Sequence, residues 1–265
     1  MLGISPDCLS GLWGHARSYT LRSSVISVRC CAAVRPRLAW SSSWVATAQA
    51  SRLVEVPLDL ADPAAVQAWL ATGALANWLA GASRALLVNN AGTVQPMGPV
   101  GGGHTGDRSL VHAGPDEPAR ALARAVALNV TTPLMLADAF VAATAHCADR
   151  RVAHVSSGAA RNPYAGWSTY CATKAALDMH ARAAQLDAVP RLRVASVAPG
   201  VIDTDMQADI RSTTPADFPM QARFVSMKQD GMLSNAADVS ARLVAYVLSD
   251  AFGADPTPDL RQLPG

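Results

Sequence analysis

Residues 85–92 read Ala-Leu-Leu-Val-Asn-Asn-Ala-Gly, a continuous apolar run followed at once by two asparagines, an alanine and a glycine. A short unbroken apolar run is typical of a strand that is buried on both faces in a parallel sheet. Asparagine and glycine favour turn conformations, so the strand is expected to end at residue 88. The stretch therefore predicts a buried parallel strand whose carboxyl end leads directly into a loop.

Strands and helices are predicted to alternate on both sides of this stretch. On its amino-terminal side, residues 52–60 predict a strand, and Asp62 and Pro63 predict the N-cap and first position of a helix. On its carboxyl-terminal side the pattern predicts a helix over 119–146, a strand over 151–156, a helix over 169–187 and a strand over 192–197. Alternation of this kind predicts an α/β fold with a doubly wound parallel sheet, in which ligands bind at the carboxyl ends of the strands.

Composition excludes several classes of function. The net charge of this 265-residue chain is +2 and only 5% of its residues are aromatic, so no nucleic-acid partner is expected. The five cysteines have no C-x-x-C spacing and the six histidines are scattered, so we expect neither a disulfide framework nor a metal site. No run of 18 uncharged apolar residues occurs, so no membrane span is expected. These features predict a cytoplasmic protein.

Tyr170 and Lys174 stand one helical turn apart, with Ser157 upstream at the end of a predicted strand. An ammonium beside a phenol lowers the phenol's pKa. Such a tyrosine can exchange a proton with a carbonyl or alcohol oxygen near neutral pH, and the serine hydroxyl can hydrogen-bond the same oxygen. A Tyr-x-x-x-Lys pair alone is a weak motif, because it also occurs on solvated helix faces.

Several motifs together carry a family resemblance over the last three quarters of the chain. They are Asp59, Asn89-Asn90-Ala91-Gly92, Asn129, Ser156-Ser157, Tyr170 with Lys174, and residues 199–204 (Pro-Gly-Val-Ile-Asp-Thr). On these residues the chain resembles the short-chain dehydrogenase/reductase family. Residues 166–174 and 198–207 are most similar to sepiapterin reductases and bacterial benzil reductases, which are NADPH-dependent carbonyl reductases.

The resemblance implies a single Rossmann-like domain over residues 1–265 that reduces a ketone or diketone of a small molecule with NADPH. It implies that Asn129, Ser157, Tyr170 and Lys174 are catalytic, with Tyr170 as the general acid and Lys174 lowering its pKa. It implies that NADP is held by Gly14, Arg17, Asp59, Leu60, Asn90, Ala91, Gly92, Tyr170, Lys174, Ile202, Thr204 and Met206. It implies a substrate site of Ser157, Trp167, Gly200 and Asp259, a substrate-side lid over residues 205–235, and a homodimer.

Several of these residues have ordinary alternatives. Asp59 could be a simple helix cap instead of an adenine contact. Trp167 and Met206 could belong to the core. Asp259 matches an aspartate that anchors the pterin amine in sepiapterin reductase, but Asp255 lies close enough to make the register ambiguous, and a solvated tail aspartate is the alternative.

The amino-terminal part departs from the family. The pattern T-G-x-x-x-G-x-G that cradles the cofactor pyrophosphate is absent, and the best register, Gly14-His15-Ala16-Arg17, continues without the expected glycines. Residues 18–50 are rich in Ser, Arg, Cys and Trp. They fit an out-of-frame translation, a targeting peptide or a divergent cofactor loop. Residues 100–118 predict a surface loop or insertion. The alternative to an enzyme is a non-catalytic family member that has lost the cofactor loop.

Overall fold

The computed structural model describes residues 56–101 and 117–263, and the backbone of Val25–Ile26. Its strands are β1 (Val25–Ile26), β2 (Val56–Pro57), β3 (Arg84–Asn89), β4 (Asp149–Val155) and β5 (Leu192–Val197). Its helices are α1 (Pro63–Ala71), α2 (Ala74–Leu79), α3 (Glu117–Val126), α4 (Thr132–Ala143), α5 (Ser168–Leu186), α6 (Asp205–Ser212), α7 (Gln221–Gln229) and α8 (Ala236–Leu248). Shorter turns are a π-helical segment, Ala127–Thr131, and 3₁₀ helices at Gly158–Ala160 and Leu260–Gln262.

The central sheet has the parallel order β3-β4-β5 in the described part of the chain. Leu87 of β3 is level with Val152 of β4, which is level with Val194 of β5. The two-residue strands β1 and β2 form a separate antiparallel pair.

Both faces of this sheet are covered by helices, because successive residues of a strand point to opposite faces. Val152 and Val194 pack into a core with α1, α2, α4 and α5, whereas their neighbours Ala153 and Ala195 pack into a second core with α8. Full burial of each large aliphatic side chain contributes about 1.5–3 kcal/mol. The predicted α/β fold with helices on both sides of a parallel sheet is confirmed.

Two consecutive arginines near the start of β4 join the sheet to helix ends on opposite faces. Arg150 donates to the carbonyl oxygens of Val141, near the end of α4, and Pro190. Arg151 donates from Nη1 to the carbonyl oxygens of Val247 and Ser249, at 2.7 Å each, at the end of α8. Carbonyl groups at helix carboxyl ends lack partners within the helix, so buried guanidinium groups satisfy them.

The predicted element boundaries agree with the structure closely for the later elements. Residues 192–197 form β5 as predicted, and the predicted helix over 169–187 is α5. Asp62 is the N-cap of α1, with its Oδ1 accepting from the backbone N–H groups of Ala64 and Ala65, and Pro63 begins that helix.

The predicted strand over residues 52–60 is wrong at its carboxyl end. Only Val56–Pro57 pairs, and the chain then turns, because the Asp62 N–H donates to the Asp59 carbonyl at 3.1 Å. Residues 52–55 lie outside the described part of the chain. Leu60, the last apolar residue of this segment, is instead buried beside α4.

The predicted helix over residues 119–146 is present as α3, the π-helical segment and α4 in continuous succession. The helical run Pro118–Ala143 has a mean hydropathy of 1.5 over its most apolar window, enough to cross a membrane by length and composition. Leu136, Ala137 and Phe140 of this run are buried against the sheet. Core packing therefore accounts for part of its apolar character.

Candidate active site

The predicted site residues meet where β3, β4 and β5 end. Asn90 follows β3, Ser157 follows β4 and Gly200 lies just beyond β5. The backbone N–H of Ser156 donates to the Val197 carbonyl at 2.8 Å, which joins the ends of β4 and β5. Helix α5 crosses this edge and presents Tyr170 and Lys174 to it.

Tyr170 is buried in the first turn of α5. Burial raises the pKa of its phenol, and a hydrogen bond with the Ser157 side chain acts in the opposite direction. Removal of the phenol from water is the larger influence, so the net shift is upward, and the lowering of the Tyr170 pKa by Lys174 stays a prediction. A raised pKa keeps the hydroxyl protonated at neutral pH, as a general acid requires.

Lys174 is only 4% exposed and lies one turn after Tyr170. Its Nζ donates to the Val155 carbonyl at 2.7 Å and lies 5.8 Å from the Tyr170 ring centroid. Burial lowers the pKa of this ammonium to about 8, and the carboxylate of Asp178 offsets part of the shift. An ammonium has three N–H donors, so N–H groups remain for a ligand.

Asn129 occupies the π-helical segment between α3 and α4. Its Oδ1 accepts from the Thr93 N–H at 2.9 Å, and its Nδ2 donates to the Thr93 carbonyl at 2.8 Å and to Thr173 Oγ1 at 3.1 Å. A single π-helical turn within an α-helix is common at functional sites. The widened turn places the amide between the loop after β3 and helix α5.

Two adjacent serines after β4 have different surroundings. The Ser156 hydroxyl is buried and donates to Asp178 Oδ1 at 2.6 Å. Ser157 is half-buried, interacts with Tyr170, and accepts from the Ala159 N–H at 3.2 Å. The choice of Ser157 as the site serine therefore agrees with the geometry, because Ser156 is committed to Asp178.

A buried polar chain runs from the base of the site toward the surface of α5. Asn89 Nδ2 contacts His154 Nδ1 at 3.1 Å, and His154 Nε2 contacts His180 Nδ1 at 3.1 Å. Burial, His180 and Lys174 together lower the pKa of His154 to about 3. His154 is thus neutral at physiological pH and adds no positive charge beneath Lys174.

The loop after β3 has the close packing that a bound cofactor would need. A Cβ added at Gly92 would lie 3.2 Å from Asn129 Oδ1 and 3.4 Å from Lys174 Nζ, so a side chain there would crowd both groups. Asn90 and Ala91 precede Gly92 at the same strand end. Together with the donors left on Lys174, this arrangement fits the nicotinamide end of a dinucleotide.

Two other predicted cofactor residues, Asp59 and Leu60, lie between β2 and α1. Asp59 is not the cap of α1; its carboxylate accepts from the Ala61 N–H at 2.9 Å and pairs with Arg124 at 3.0 Å. Leu60 is buried, and its carbonyl accepts from Thr132 Oγ1 at 2.8 Å. Gly14 and Arg17 lie outside the described residues.

Beyond β5, three further predicted residues lead from the sheet into the proposed lid. Ile202 is buried and bridges to Ser234, Thr204 is the N-cap of α6, and Met206 packs partly buried beside the Trp167 cluster. The Lys228 ammonium pairs with the Asp203 carboxylate and links α7 to this segment.

Trp167 is buried in an aromatic cluster that adjoins Tyr170. Its ring stacks on Phe218 with centroids 4.4 Å apart and lies edge-on to Tyr170 at 5.3 Å. Gly166 has a φ of +81°, and a Cβ there would lie 2.3 Å from the Asp217 carbonyl oxygen. Glycine is therefore required for the segment between α6 and α7 to approach Trp167.

Asp259 is buried rather than a solvated tail residue. Its carboxylate accepts from Arg261 Nε at 2.9 Å and Nη2 at 2.6 Å, and the hydrogen bond with Arg261 holds the pKa of Asp259 below its ordinary value. Gly200 has a φ of +95° and lies against the Arg261 side chain, with an added Cβ 3.1 Å from Cδ.

Thr173 and Arg261 also lie at the site, although no sequence motif predicted a role for them. Thr173 is buried and connects Asn129 to the Tyr170 carbonyl, to which its Oγ1 donates at 2.9 Å. The position of Thr173 between Tyr170 and Lys174 could have indicated its place in the site. For Arg261 the sequence offers only its position two residues after Asp259.

Comparison with known proteins agrees with this geometry. A sequence model of the short chain dehydrogenase family matches residues 11–215. The chain is similar to the benzil reductase of Bacillus cereus (36% identity over 56% of this chain) and to the sepiapterin reductase of Mus musculus (31% over 76% of this chain). It spans 55% of the length of the first and 72% of the second.

Solved structures of the same fold also match. A short chain dehydrogenase from Burkholderia cenocepacia in complex with NADP is 27% identical, with a TM-score of 0.51, 77% of this chain and 72% of that chain covered. Other matched structures of this fold contain NAD.

Proposed function

Because the chain belongs to the short-chain dehydrogenase family, we propose that this oxidoreductase reduces a ketone or 1,2-diketone with NADPH. The observation that carries the proposal is the buried Tyr170 hydroxyl, hydrogen-bonded with Ser157 and one helical turn from the buried ammonium of Lys174. This arrangement can protonate an oxygen anion in a site shielded from water.

The substrate class follows the matched relatives and the surroundings of Tyr170. Benzil reductase and sepiapterin reductase are both named for the reduction of carbonyl compounds. The rings of Trp167, Phe218 and Phe224 form a buried aromatic cluster beside Tyr170. This apolar surrounding of the hydroxyl favours an aryl ketone, because aromatic groups pack favourably edge-on or offset-stacked.

NADP is proposed in preference to NAD. A matched structure at 27% identity contains NADP, and the family resemblance implies that the matched benzil and sepiapterin reductases are NADPH-dependent. Asp59, Leu60, Asn90, Ala91, Gly92, Ile202, Thr204 and Met206 would hold it with Tyr170 and Lys174. The nicotinamide supplies the hydride for the carbonyl carbon when it is bound.

The chain's own residues provide the proton and hold the carbonyl. Ser157 donates a hydrogen bond to the carbonyl oxygen, and Tyr170 transfers its hydroxyl proton to that oxygen as negative charge develops. Lys174 stabilises the phenolate left behind. Asn129, held by Thr93 and Thr173, keeps the loop after β3 in position beside Lys174.

Replacement of Tyr170 by phenylalanine tests the proposal. Tyr170→Phe keeps the ring contacts with Trp167 but removes the acid, so benzil turnover should fall by roughly 10³-fold or more. The matched control is Tyr246→Phe, which changes a buried tyrosine of α8 in the core on the other face of the sheet. An end-point assay of benzoin formation would show the loss of turnover. Unchanged turnover in Tyr170→Phe would overturn the mechanism.

The missing glycine-rich pattern favours one alternative, a family member without catalysis. Calorimetric titration of the wild-type chain with NADPH and with NADH separates the two readings. Micromolar binding of NADPH, tighter than that of NADH, supports the enzyme and its cofactor. Undetectable binding of both supports the alternative.

A further inference from the structure

Two arginines border the site, and each is held by an aspartate that is more deeply buried. The Arg261 side chain is 59% exposed and that of Asp259 is 9% exposed. Arg161 forms a second pair with Asp178, at 3.1 Å from Nε to Oδ2, in which the carboxylate is again the more buried partner. Both pairs therefore direct the cation outward and the anion inward.

Arg261 lies on the substrate side of the sheet edge. Its stem rests on Gly200, just beyond the end of β5, and the end of β5 is hydrogen-bonded to Ser156 at the end of β4. Its guanidinium also lies within electrostatic range of Tyr164, whose ring packs 5.5 Å from that of Trp167. Arg261 is thus placed just beyond the end of β5 and beside Tyr164, at the margin of the aromatic cluster of Trp167.

Asp259 accepts hydrogen bonds along one edge of the Arg261 guanidinium. Asp259 occupies the edge formed by Nε and Nη2. Within residues 56–101 and 117–263, no hydrogen bond from Nη1 is found. A guanidinium has a second bidentate edge, formed by its two terminal nitrogens, that matches a carboxylate. The pairing with Asp259 fixes the orientation of that edge.

Building on the proposed function, we infer that Arg261 binds a carboxylate on the substrate, so that the preferred substrate is an acidic aryl ketone. The same contacts argue against an amine-bearing substrate at Asp259, because the carboxylate of Asp259 already accepts from Arg261. Asp259 is then a positioning residue that orients Arg261.

A matched pair of substrates isolates the charge. 4-Carboxybenzil and its methyl ester differ mainly in one negative charge, and both carry the reducible diketone. In the wild-type holoenzyme the acid should have a kcat/KM at least roughly tenfold above that of the ester. In the double variant Asp259→Asn with Arg261→Gln, the acid-to-ester ratio should fall to about one.

Two further variants test whether a change in the acid-to-ester ratio comes from lost recognition or from a disturbed structure. Arg261→Lys keeps the charge but loses the fork, so it should give an intermediate ratio. Arg182→Gln removes an exposed arginine beside Thr257, outside the site, and should keep the wild-type ratio. The double variant avoids leaving the buried Asp259 carboxylate without its partner.

The outcomes separate this inference from the proposed function. Turnover of the ester without preference for the acid would leave the function standing and overturn the role of Arg261. If neither compound is reduced, the proposed function fails, and calorimetric binding of the acid and ester still decides: a tighter acid supports Arg261, and equal affinities overturn its role.

Discussion

A buried cation lies at each end of strand β4, and the two are compensated to different degrees. At the amino end, Arg151 forms a two-point contact with Asp149 and donates to two helix-end carbonyls. At the carboxyl end, Lys174 donates to one carbonyl, and its pKa is lowered to about 8 by burial. The arginine has hydrogen-bond partners for its charge and stabilises the fold. The lysine keeps N–H groups for a ligand, and a ligand that accepts from them can offset the cost of burying its charge.

Replacing the lysine should produce the largest effect on activity. Lys174→Met keeps a similar volume but removes the ammonium, so turnover should fall by roughly 10³-fold. Its free energy of unfolding should stay the same or increase, because the buried charge is gone. Steady-state kinetics and urea unfolding on the same sample provide the test. A clearly less stable Lys174→Met would contradict the proposed contrast.

The equivalent change at the other end of β4 should act on stability instead. Arg151→Met leaves helix-end carbonyls of α8 without their donor and Asp149 with Arg193 alone, at 2.9 Å. The free energy of unfolding should fall by about 3 kcal/mol. Turnover per folded molecule should remain within about twofold of wild type. A selective loss of turnover without loss of stability would show that the two ends are not separate in role.

The neighbouring serines repeat the contrast on a smaller scale. Ser157→Ala should lower turnover by roughly 10²-fold with little change in stability, because it removes a donor to the substrate oxygen. Ser156→Ala should cost about 1–3 kcal/mol of stability, because Asp178 loses a buried donor. Kinetics and unfolding of both variants should give opposite rankings, and equal losses of turnover would refute the assignment.

The pH dependence of stability should give the most specific signal. The pKa of Lys174 is about 8 in the folded chain, below its ordinary value of 10.5. Above pH 8 the folded state has released this proton while the unfolded state still holds it, so this group makes stability rise with pH. Below pH 8 both states hold the proton and its penalty is constant.

The expected slope in that window is about 1.4 kcal/mol per pH unit. The unfolding free energy of wild type relative to Lys174→Met, measured by urea between about pH 8 and 10, isolates this contribution. Tyr170, whose pKa is raised, would oppose it only at higher pH. Parallel pH curves for the two proteins would mean that burial of the ammonium is compensated.

Local pattern was enough to predict several features correctly. Asp62 and Pro63 begin α1, and residues 192–197 form β5, because capping chemistry and unbroken apolar runs act over a few neighbouring residues. The placement of Asn90 and Ser157 at one edge also followed, since parallel strands end at the same side of a sheet. The prediction of a strand over residues 52–60 was wrong at its carboxyl end because the chain turns at Asp59. The apolar Leu60 packs into the core after that turn.

The sequence by itself determined that Tyr170 and Lys174 share one helix face at the carboxyl edge of a parallel sheet, since helix spacing is local and parallel strands end at the same side of a sheet. Only the tertiary structure decided the electrostatics. It set the direction of the Tyr170 pKa, because burial depends on residues far along the chain. It also paired Asp259 with Arg261 and folded both against Gly200. Which charged side chains remain available to a ligand depends on the groups that folding places beside them, and not on residue type alone.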